Sequence, residues 1–457
     1  MLRGPSAKVV AALMALALLG SACSSRDDDD ASTDSGSEED AAAGESSIDT
    51  ADCVSDPTEE VGDSIKLVSS YPQSGLTAAF AEIARGWKAY FDKVNAEGGV
   101  DFGGKTVTIE YDDADDQYNA AETAANIDEM VGPDGDGAFA VFSVVGTANN
   151  LAIRDTLHEL CVPNVFAATG SPAWGNTDYP WMIGSTLSPY PLESEIFAEL
   201  IEVQQPGAQV AMLVQDDDFG AAYEETLRAA LEGGESGAEV VAVEKYSTGA
   251  SEVGAQITSL ASSGATAFFN GGTLLACPDA LTKAAAAGWA PELTWVSGTC
   301  TSDTLMGLAG ADANGVYSAA NLKDPLNPEW DADEAMVEYL DTIRQYQPDG
   351  FRETNAIVGY GYTQAAVFVE ALAAAEAPTR LALMEAMHNL DVSDVGLLLP
   401  GVVVATGPDD AYMGEALQPA QYEFTGEGQR NHFVPQGEIV DFEGETANLT
   451  PEGLIDG

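Results

Sequence analysis

Small and hydroxylated residues follow many of the apolar, strand-like runs in this chain. Examples are the segments 69–71, 145–147, 168–171, 270–273 and 297–299. Free backbone N–H groups at a helix start, together with side-chain hydroxyls, can bind a carboxylate or another small polar group. Each residue could instead cap its own helix, so only the whole set favours a site. We therefore predict a binding site for a small polar molecule where these strands end.

Several sequence motifs of common enzymes are absent from the 457 residues. There is no G-x-S-x-G elbow, dinucleotide-binding G-x-G-x-x-G or H-E-x-x-H. The three histidines, His158, His388 and His432, are far apart in the sequence, and the acidic segment 112–117 lacks the glycine of a calcium-binding loop. We therefore expect no catalytic residue, no metal site and no cofactor.

The elements that would position the site alternate between strand and helix from Ile65 onward. Runs such as IKLVSS, AFAVFSVVG and QVAMLVQ are typical of strands buried on both faces, and many intervening helical stretches stop at glycine. This alternation predicts an α/β fold with helices covering parallel sheets. About 400 residues follow the N-terminal region, which is more than one core usually organises, so we expect two doubly wound parallel-sheet lobes joined by a hinge.

Each predicted lobe contains two stretches of the chain. Lobe 1 is expected to comprise residues 65–190 and about 325–390. Lobe 2 is expected to comprise residues 191–324 and about 391–450.

The N-terminus has the parts of an export signal: a positive start, an apolar run over 9–19 and small residues before Cys23. A cysteine at this place resembles a bacterial lipobox, so we predict a lipoprotein signal peptide over residues 1–22 and lipidation of Cys23. A plain secretory signal with an incidental Cys23 is the alternative. Residues 23–64 are expected to form an acidic flexible linker. No later segment is expected to span a membrane, so the lipid would be the only membrane attachment.

Charge and cysteine content restrict the partners and the compartment. The formal charge of −58 repels phosphate groups, so we expect neither nucleic acid nor an anionic membrane surface as a direct partner. The even number of cysteines after Cys23 favours two disulfides in an exported protein. Cys277 precedes a helix and Cys300 follows the next strand, so these two are expected to lie side by side. Cys53 would then pair with Cys161.

Four stretches together resemble type I periplasmic solute-binding proteins of the leucine/isoleucine/valine-binding family. They are FAEIARGWKAYFDKVNAEGGVDFGGKTVTIEYDDADDQYNAAETAANIDEMV, FSVVGTANNLAIRDTLHELCVPNVFAATGSP, VQDDDFGAAYEETLRAAL and AAAAGWAPELTWVSGT. The resemblance covers roughly residues 65–375. It implies two lobes that close on a solute, a monomer at the outer face of the cell membrane, and delivery of the solute to the permease subunits of an ABC transporter.

The resemblance and the strand ends together give a predicted set of solute contacts. The family's VVGTAN and AATGS motifs imply backbone and hydroxyl groups that hold a carboxylate, and the aromatic residue of DDDFG implies a surface that packs on the solute. The predicted contacts are Tyr71, Gly146, Thr147, Ala168, Thr169, Phe219, Thr273, Gly298 and Tyr362.

One position departs from the family pattern. Amino-acid binders of the family carry an acid after the strand that here reads TWVSGTC, where it pairs with the solute's ammonium. This chain has Ser297, Gly298 and Thr299 there instead. Either Asp217 or Asp218 supplies that charge, or the solute is not an α-amino acid. We therefore predict a small carboxylate or amide, with leucine, isoleucine and valine less expected. A tethered sensor of the same fold is an alternative function, and an enzyme is a less favoured one.

Overall fold

The first strands of the chain form a five-stranded sheet in the computed structural model, which describes residues 46, 48–132, 137–350 and 352–457. Its spatial order is β2-β3-β1-β4-β5, and β2 alone in this sheet is antiparallel to its neighbour. The strands are β1 Ser64–Tyr71, β2 Val100–Phe102, β3 Lys105–Asp115, β4 Ala140–Phe142 and β5 Asn164–Val165. The predicted signal peptide and Cys23 lie outside the described residues.

The second sheet combines a parallel core with an antiparallel edge. Its order is β14-β13-β10-β9-β8-β6-β7, with β15 paired to β13, and β13 runs antiparallel to β10, β14 and β15. These strands are β6 Gln209–Gln215, β7 Glu239–Tyr246, β8 Ala267–Gly271, β9 Leu293–Val296, β10 Tyr317–Ala320, β13 Ala416–Glu423, β14 His432–Pro435 and β15 Val440–Asp441. A separate antiparallel pair consists of β11 Asp391–Ser393 and β12 Val403–Ala405.

Helices connect the strands and cover the sheets. Side-chain caps start several of them: Asn119 accepts hydrogen bonds from the backbone at the start of α2, and Asp217 does so at the start of α5. The helices are α1 Ala81–Glu97, α2 Ala120–Val131, α3 Thr147–Leu160, α4 Tyr190–Gln204, α5 Asp218–Gly233, α6 Gly254–Ala261, α7 Ala276–Ala286, α8 Asp303–Ala309, α9 Glu334–Tyr346, α10 Ala356–Ala374, α11 Arg380–Met387 and α12 Glu452–Asp456.

The chain moves between the two sheets more than once. It leaves the first sheet after β5 and builds the second through β10, and then α9 and α10 pack against α1 beside the first sheet. It returns to the second sheet at β13. The β11–β12 pair lies next to α11, because the Thr406 hydroxyl donates to the Met387 carbonyl and accepts from the Leu390 N–H. The predicted architecture of two α/β lobes is confirmed.

Helix α10 is the central helix of the first lobe. By length and composition it could cross a membrane, contrary to the sequence-based expectation, but 67% of its apolar window is buried within the protein, as in a core helix. Two glycines allow α1 and α10 to cross closely. A Cβ at Gly86 would lie 2.1 Å from the Val358 carbonyl oxygen, and one at Gly361 would lie 1.9 Å from the Ile83 oxygen. Gly361 of the GYGYTQ segment therefore serves helix packing.

The later part of the predicted linker, from residue 48 onward, is attached to the folded part of the chain at several points. Cys53 forms a disulfide with Cys161, and Val54 N–H donates to the Glu159 carbonyl. The second predicted disulfide, Cys277–Cys300, is also present. The Cys53–Cys161 disulfide and the backbone hydrogen bond restrict the conformations that the later part of the predicted linker can adopt.

Candidate functional site

A cavity of about 160 Å³ lies between the carboxyl ends of the two sheets. A comparable cavity of about 150 Å³ in another protein holds benzene, so this one suits a small molecule. The wall uses residues that shortly follow β3, β4 and β5 on one side, and β6, β8 and β9 on the other. Among the predicted contacts, those that line it are Gly146, Ala168, Thr169, Phe219, Thr273 and Gly298.

Tyr118 lines the cavity on the side of the first lobe, although sequence reasoning did not select it. Its ring stacks on Phe80 at a centroid distance of 5.9 Å. Its backbone has φ 61°, a conformation that few residues with a side chain adopt, and the Asp116 carboxylate holds its N–H at 2.8 Å. A Cβ at Gly146 would lie 3.0 Å from the Tyr118 ring. Gly146 is therefore required because the aromatic wall occupies the space of a side chain.

A chain of hydroxyls connects the two halves of the cavity. Thr147 Oγ1 lies 2.7 Å from Thr169 Oγ1, which lies 3.0 Å from the Tyr190 hydroxyl at the start of α4. Thr147 does not itself line the cavity; it lies behind Thr169 and orients its hydroxyl. Close approach is again possible because of a glycine, since a Cβ at Gly170 would lie 2.2 Å from the Ser188 carbonyl oxygen.

Three further hydroxyls in the wall have no hydrogen-bond partner among the described residues. They belong to Thr186, Thr273 and Ser318, whose side chains are all buried. A buried hydroxyl without a partner costs about 1–3 kcal/mol. A polar solute in the cavity would supply the missing partners.

Glu193 is an ionisable side chain in the cavity wall that sequence reasoning missed. It is 1% exposed, and its carboxylate accepts hydrogen bonds from the Tyr223 hydroxyl at 2.9 Å, Gly298 N–H at 2.9 Å and Trp295 Nε1 at 3.3 Å. Burial raises its pKa to about 7, although the three donors act in the opposite direction. The sequence could have indicated this position. Glu193 precedes the buried Phe197 by four residues and Ile201 by eight, which places an acid on the apolar face of α4.

Neither acid proposed from the sequence lies in the cavity wall. Asp217 caps α5 through Gly220 N–H at 3.2 Å and also accepts from the Gln215 side chain at 2.5 Å. Burial raises the pKa of Asp217. Asp218 is exposed to solvent. Asp217 therefore caps α5, and Asp218 faces water.

Two predicted contacts, Tyr71 and Tyr362, lie away from the cavity. The Tyr71 hydroxyl accepts from Lys88 Nζ at 3.1 Å, and its ring packs edge-on against Trp87. The Tyr362 ring packs between the rings of Tyr90 and Tyr339, at 4.9 and 5.1 Å. Strand and helix geometry explains why neither lines the cavity: side chains alternate along β1, and residues two apart on a helix point in nearly opposite directions.

Tyr360 takes the place in the wall that was predicted for Tyr362. Its hydroxyl lies 2.5 Å from Ser185 Oγ, and burial raises its pKa above the ordinary range. The segment from 184 to 188 and α10 are thereby joined at the cavity.

An acidic cluster elsewhere in the described residues consists of Asp410, Glu415 and Glu443, with carboxylate oxygens within 4.8 Å of one another. Glu415 accepts hydrogen bonds from Gly444 N–H and the Thr446 hydroxyl, and burial raises its pKa to about 7. These contacts fix the turn after β15 against β13.

Comparison with known proteins gives one family and many similar structures. A family model described as periplasmic binding protein matches residues 64–427. A substrate-binding periplasmic protein from Ralstonia solanacearum is 22% identical with a TM-score of 0.70, over 81% of this chain and 100% of that one. A comparison with curated proteins gave no match.

Two further structures carry solute names in their descriptions. A branched-chain amino acid ABC transporter protein from Thermus thermophilus with bound valine is 19% identical, with a TM-score of 0.70 over 83% of this chain and 96% of that one. A fatty acid ABC transporter substrate-binding protein from Thermomonospora curvata is 19% identical, with a TM-score of 0.69 over 86% and 96%. At these identities the likeness shows the fold alone.

Proposed function

The chain belongs to the periplasmic binding protein family, and from that premise we propose that it captures a small polar solute and delivers it to the permease subunits of an ABC importer. Members of the family are extracytoplasmic solute-binding proteins, not enzymes. The proposed solute is an amino acid, an amide or a carboxylate, held in the cavity between the two sheets.

The buried hydroxyls without partners are the observation that supports a polar solute most strongly. Thr186, Thr273 and Ser318 line a cavity whose other walls are largely aromatic and aliphatic, and the hydroxyl of each is buried and unpaired. A purely apolar ligand such as an alkyl chain would leave all three unpaired and would keep their free-energy cost. One similar structure is named with bound valine and another as a fatty acid transporter protein, so the fold does not determine the solute class. The chemistry of the cavity wall therefore has to determine it.

Thr186→Val tests this proposal with an isosteric change. Removing an unpaired hydroxyl should leave the thermal stability of the solute-free protein equal or higher, because no internal hydrogen bond is lost. The same change should weaken the polar solute about 3- to 10-fold, since one hydrogen bond to the solute disappears. Calorimetric titration with amino acids, amides, aromatic acids and fatty acids measures both the solute class and the loss.

Thr226→Val is the matched control. Thr226 is also buried, but its hydroxyl lies 2.7 Å from the Ala222 carbonyl oxygen and 2.9 Å from Ser194 Oγ. This variant should lose stability and keep solute affinity. Binding of fatty acids but none of the polar solutes would contradict the proposal.

Solute capture is proposed to close the two lobes as a hinge motion. A solute that binds the closed form should compact the protein in small-angle scattering and should raise its stability by about 2.7 kcal/mol at a hundredfold excess over the dissociation constant. Chemical conversion of the bound solute, detected by mass spectrometry, would contradict a binding role.

A lipid on Cys23 is proposed to hold the protein at the outer face of the membrane. The apolar run over 9–19 and the small residues that follow it support this anchor. Cys23→Ser should move the protein from the membrane fraction to the soluble fraction. Retention of this variant in membranes would refute lipidation.

A further inference from the structure

The Glu193 carboxylate has one acceptor position that the protein does not use. A carboxylate offers about four such positions. Trp295 and Gly298 occupy both positions on Oε2, and Tyr223 occupies one on Oε1. Glu193 lines the cavity, and a Cβ at Gly298 would lie 2.9 Å from Oε1, so a side chain at this position would collide with the oxygen.

The negative charge of Glu193 is not compensated by its donors. The indole, the phenol and the backbone amide that contact it are all neutral. The titratable groups that face it are Tyr223 on α5 and Tyr190 on its own helix, both of which would be neutral or negative. A buried carboxylate with neutral donors alone favours a cation at its remaining position.

The lysine and the aspartate that also line the cavity do not meet that need. Lys323 is held by both oxygens of Asp333 at 2.9 Å, so its charge is already paired. Asp324 is a second acid, and burial raises its pKa to about 6. Neither side chain supplies a positive charge to Glu193.

We propose that Glu193 selects solutes that carry a protonated amine, whose N–H group takes the open acceptor position on Oε1. This inference rests on the proposed function, since it assigns a solute class to the same cavity. Gly298 then acts as a positioning residue: its N–H orients the carboxylate, and its missing side chain exposes Oε1 to the solute. In this chain no acid follows β9, and the acid that lies beside the end of β9 comes from α4 instead.

Matched pairs of probes test the selection. Calorimetry on the full-length protein would compare L-valine, L-leucine and L-phenylalanine with 2-hydroxyisovalerate, 2-hydroxyisocaproate and 3-phenyllactate, in which a hydroxyl replaces the amine. At least one amine should bind about 10- to 140-fold more tightly than its hydroxy partner, which is the range expected for a hydrogen bond to a charged group. Glu193→Gln should abolish that difference, because the amide has no negative charge.

A second readout separates solute pairing from a structural role. Burial holds the Glu193 pKa at about 7, so pairing with an amine should release about half a proton per bound solute at pH 7. Titrations in phosphate and in Tris measure this release through the buffer's ionisation enthalpy. Glu193→Gln should show none, and Glu202→Gln, an exposed acid on the same helix, should behave as the wild type.

The outcomes distinguish this inference from the proposed function. Equal binding of the amine and hydroxy series, or equal weakening of both series by Glu193→Gln, would overturn the selection by Glu193 and leave the binding function intact. Binding confined to amine-free carboxylates or amides would overturn it as well. If no member of the solute panel binds, the proposed function fails together with this inference.

Discussion

Glu193→Gln should change how the stability of the solute-free protein depends on pH. The wild-type carboxyl has a pKa of about 7 when folded, against 4.5 for the ordinary side chain, because burial penalises its charged form. The folded state therefore binds its proton more tightly than the unfolded state. The stabilisation that this gives is complete below about pH 4.5 and is lost as the pH rises through about 7.

The size of the effect follows from the two pKa values. Between about pH 5.5 and about pH 8.5, linkage of a group shifted from 4.5 to about 7 removes about 2 kcal/mol of stability. The glutamine variant has no such titration. The free energy of unfolding of the variant, relative to the wild type, should therefore increase by about 2 kcal/mol over this range, or about 2 °C in Tm for a domain pair of this size.

Urea unfolding followed by tryptophan fluorescence at both pH values measures the difference. Only the change between variant and wild type is informative, because 75 acidic residues give the protein a large pH dependence of their own. Glu202→Gln removes an exposed charge from the same helix and should show a difference that is nearly constant with pH. A constant difference for Glu193→Gln as well would refute a raised pKa and the buried environment that causes it.

Three further changes have distinct expected outcomes. Gly146→Ala should lower solute affinity about tenfold or more and destabilise the protein by about 1–3 kcal/mol, because its φ of 105° disfavours a side chain and its Cβ would lie 3.0 Å from the Tyr118 ring; calorimetry and urea unfolding measure the two losses. Tyr360→Phe should weaken solute binding in calorimetry, whereas Tyr362→Phe should not, and the reverse order would show that the wrong face of α10 has been assigned to the cavity. Replacing both cysteines of the Cys277–Cys300 disulfide by alanine should lower the free energy of unfolding, measured in urea, by about 3.5 kcal/mol. No loss would mean that this loop is equally restricted without the bond.

The sequence predicts the fold well because its signals are local. Apolar runs that alternate with helices ending at glycine specify parallel strands, and the carboxyl ends of parallel strands come together without further information. This is why Gly146, Ala168, Thr169 and Gly298, which were selected at strand ends, lie together in the cavity wall. The antiparallel strand β13 was not predicted as the neighbour of β10, because pairing over about a hundred residues leaves no local pattern.

The errors at the site concern the orientation of side chains between distant elements. The choice between Tyr360 and Tyr362 depends on how α10 is rotated against α1, and that rotation is set by the close approach at Gly86 and Gly361. The periodicity of α10 gives no answer, because its faces are all apolar and mostly buried. Glu193 was missed for a related reason: its partner Gly298 lies 105 residues away in the sequence.

The large net charge of the chain does not by itself select the solute. At physiological ionic strength, charges more than about 8 Å apart are largely screened, so most of the acidic surface contributes little inside the cavity. A carboxylate in the wall acts at contact distance and in a medium of lower dielectric constant, where its interaction with a cation is several times stronger than in water. Glu193 meets both conditions, since it is 1% exposed and lines the cavity. Solute choice should therefore be nearly insensitive to added salt in the wild type and should change when this single charge is removed.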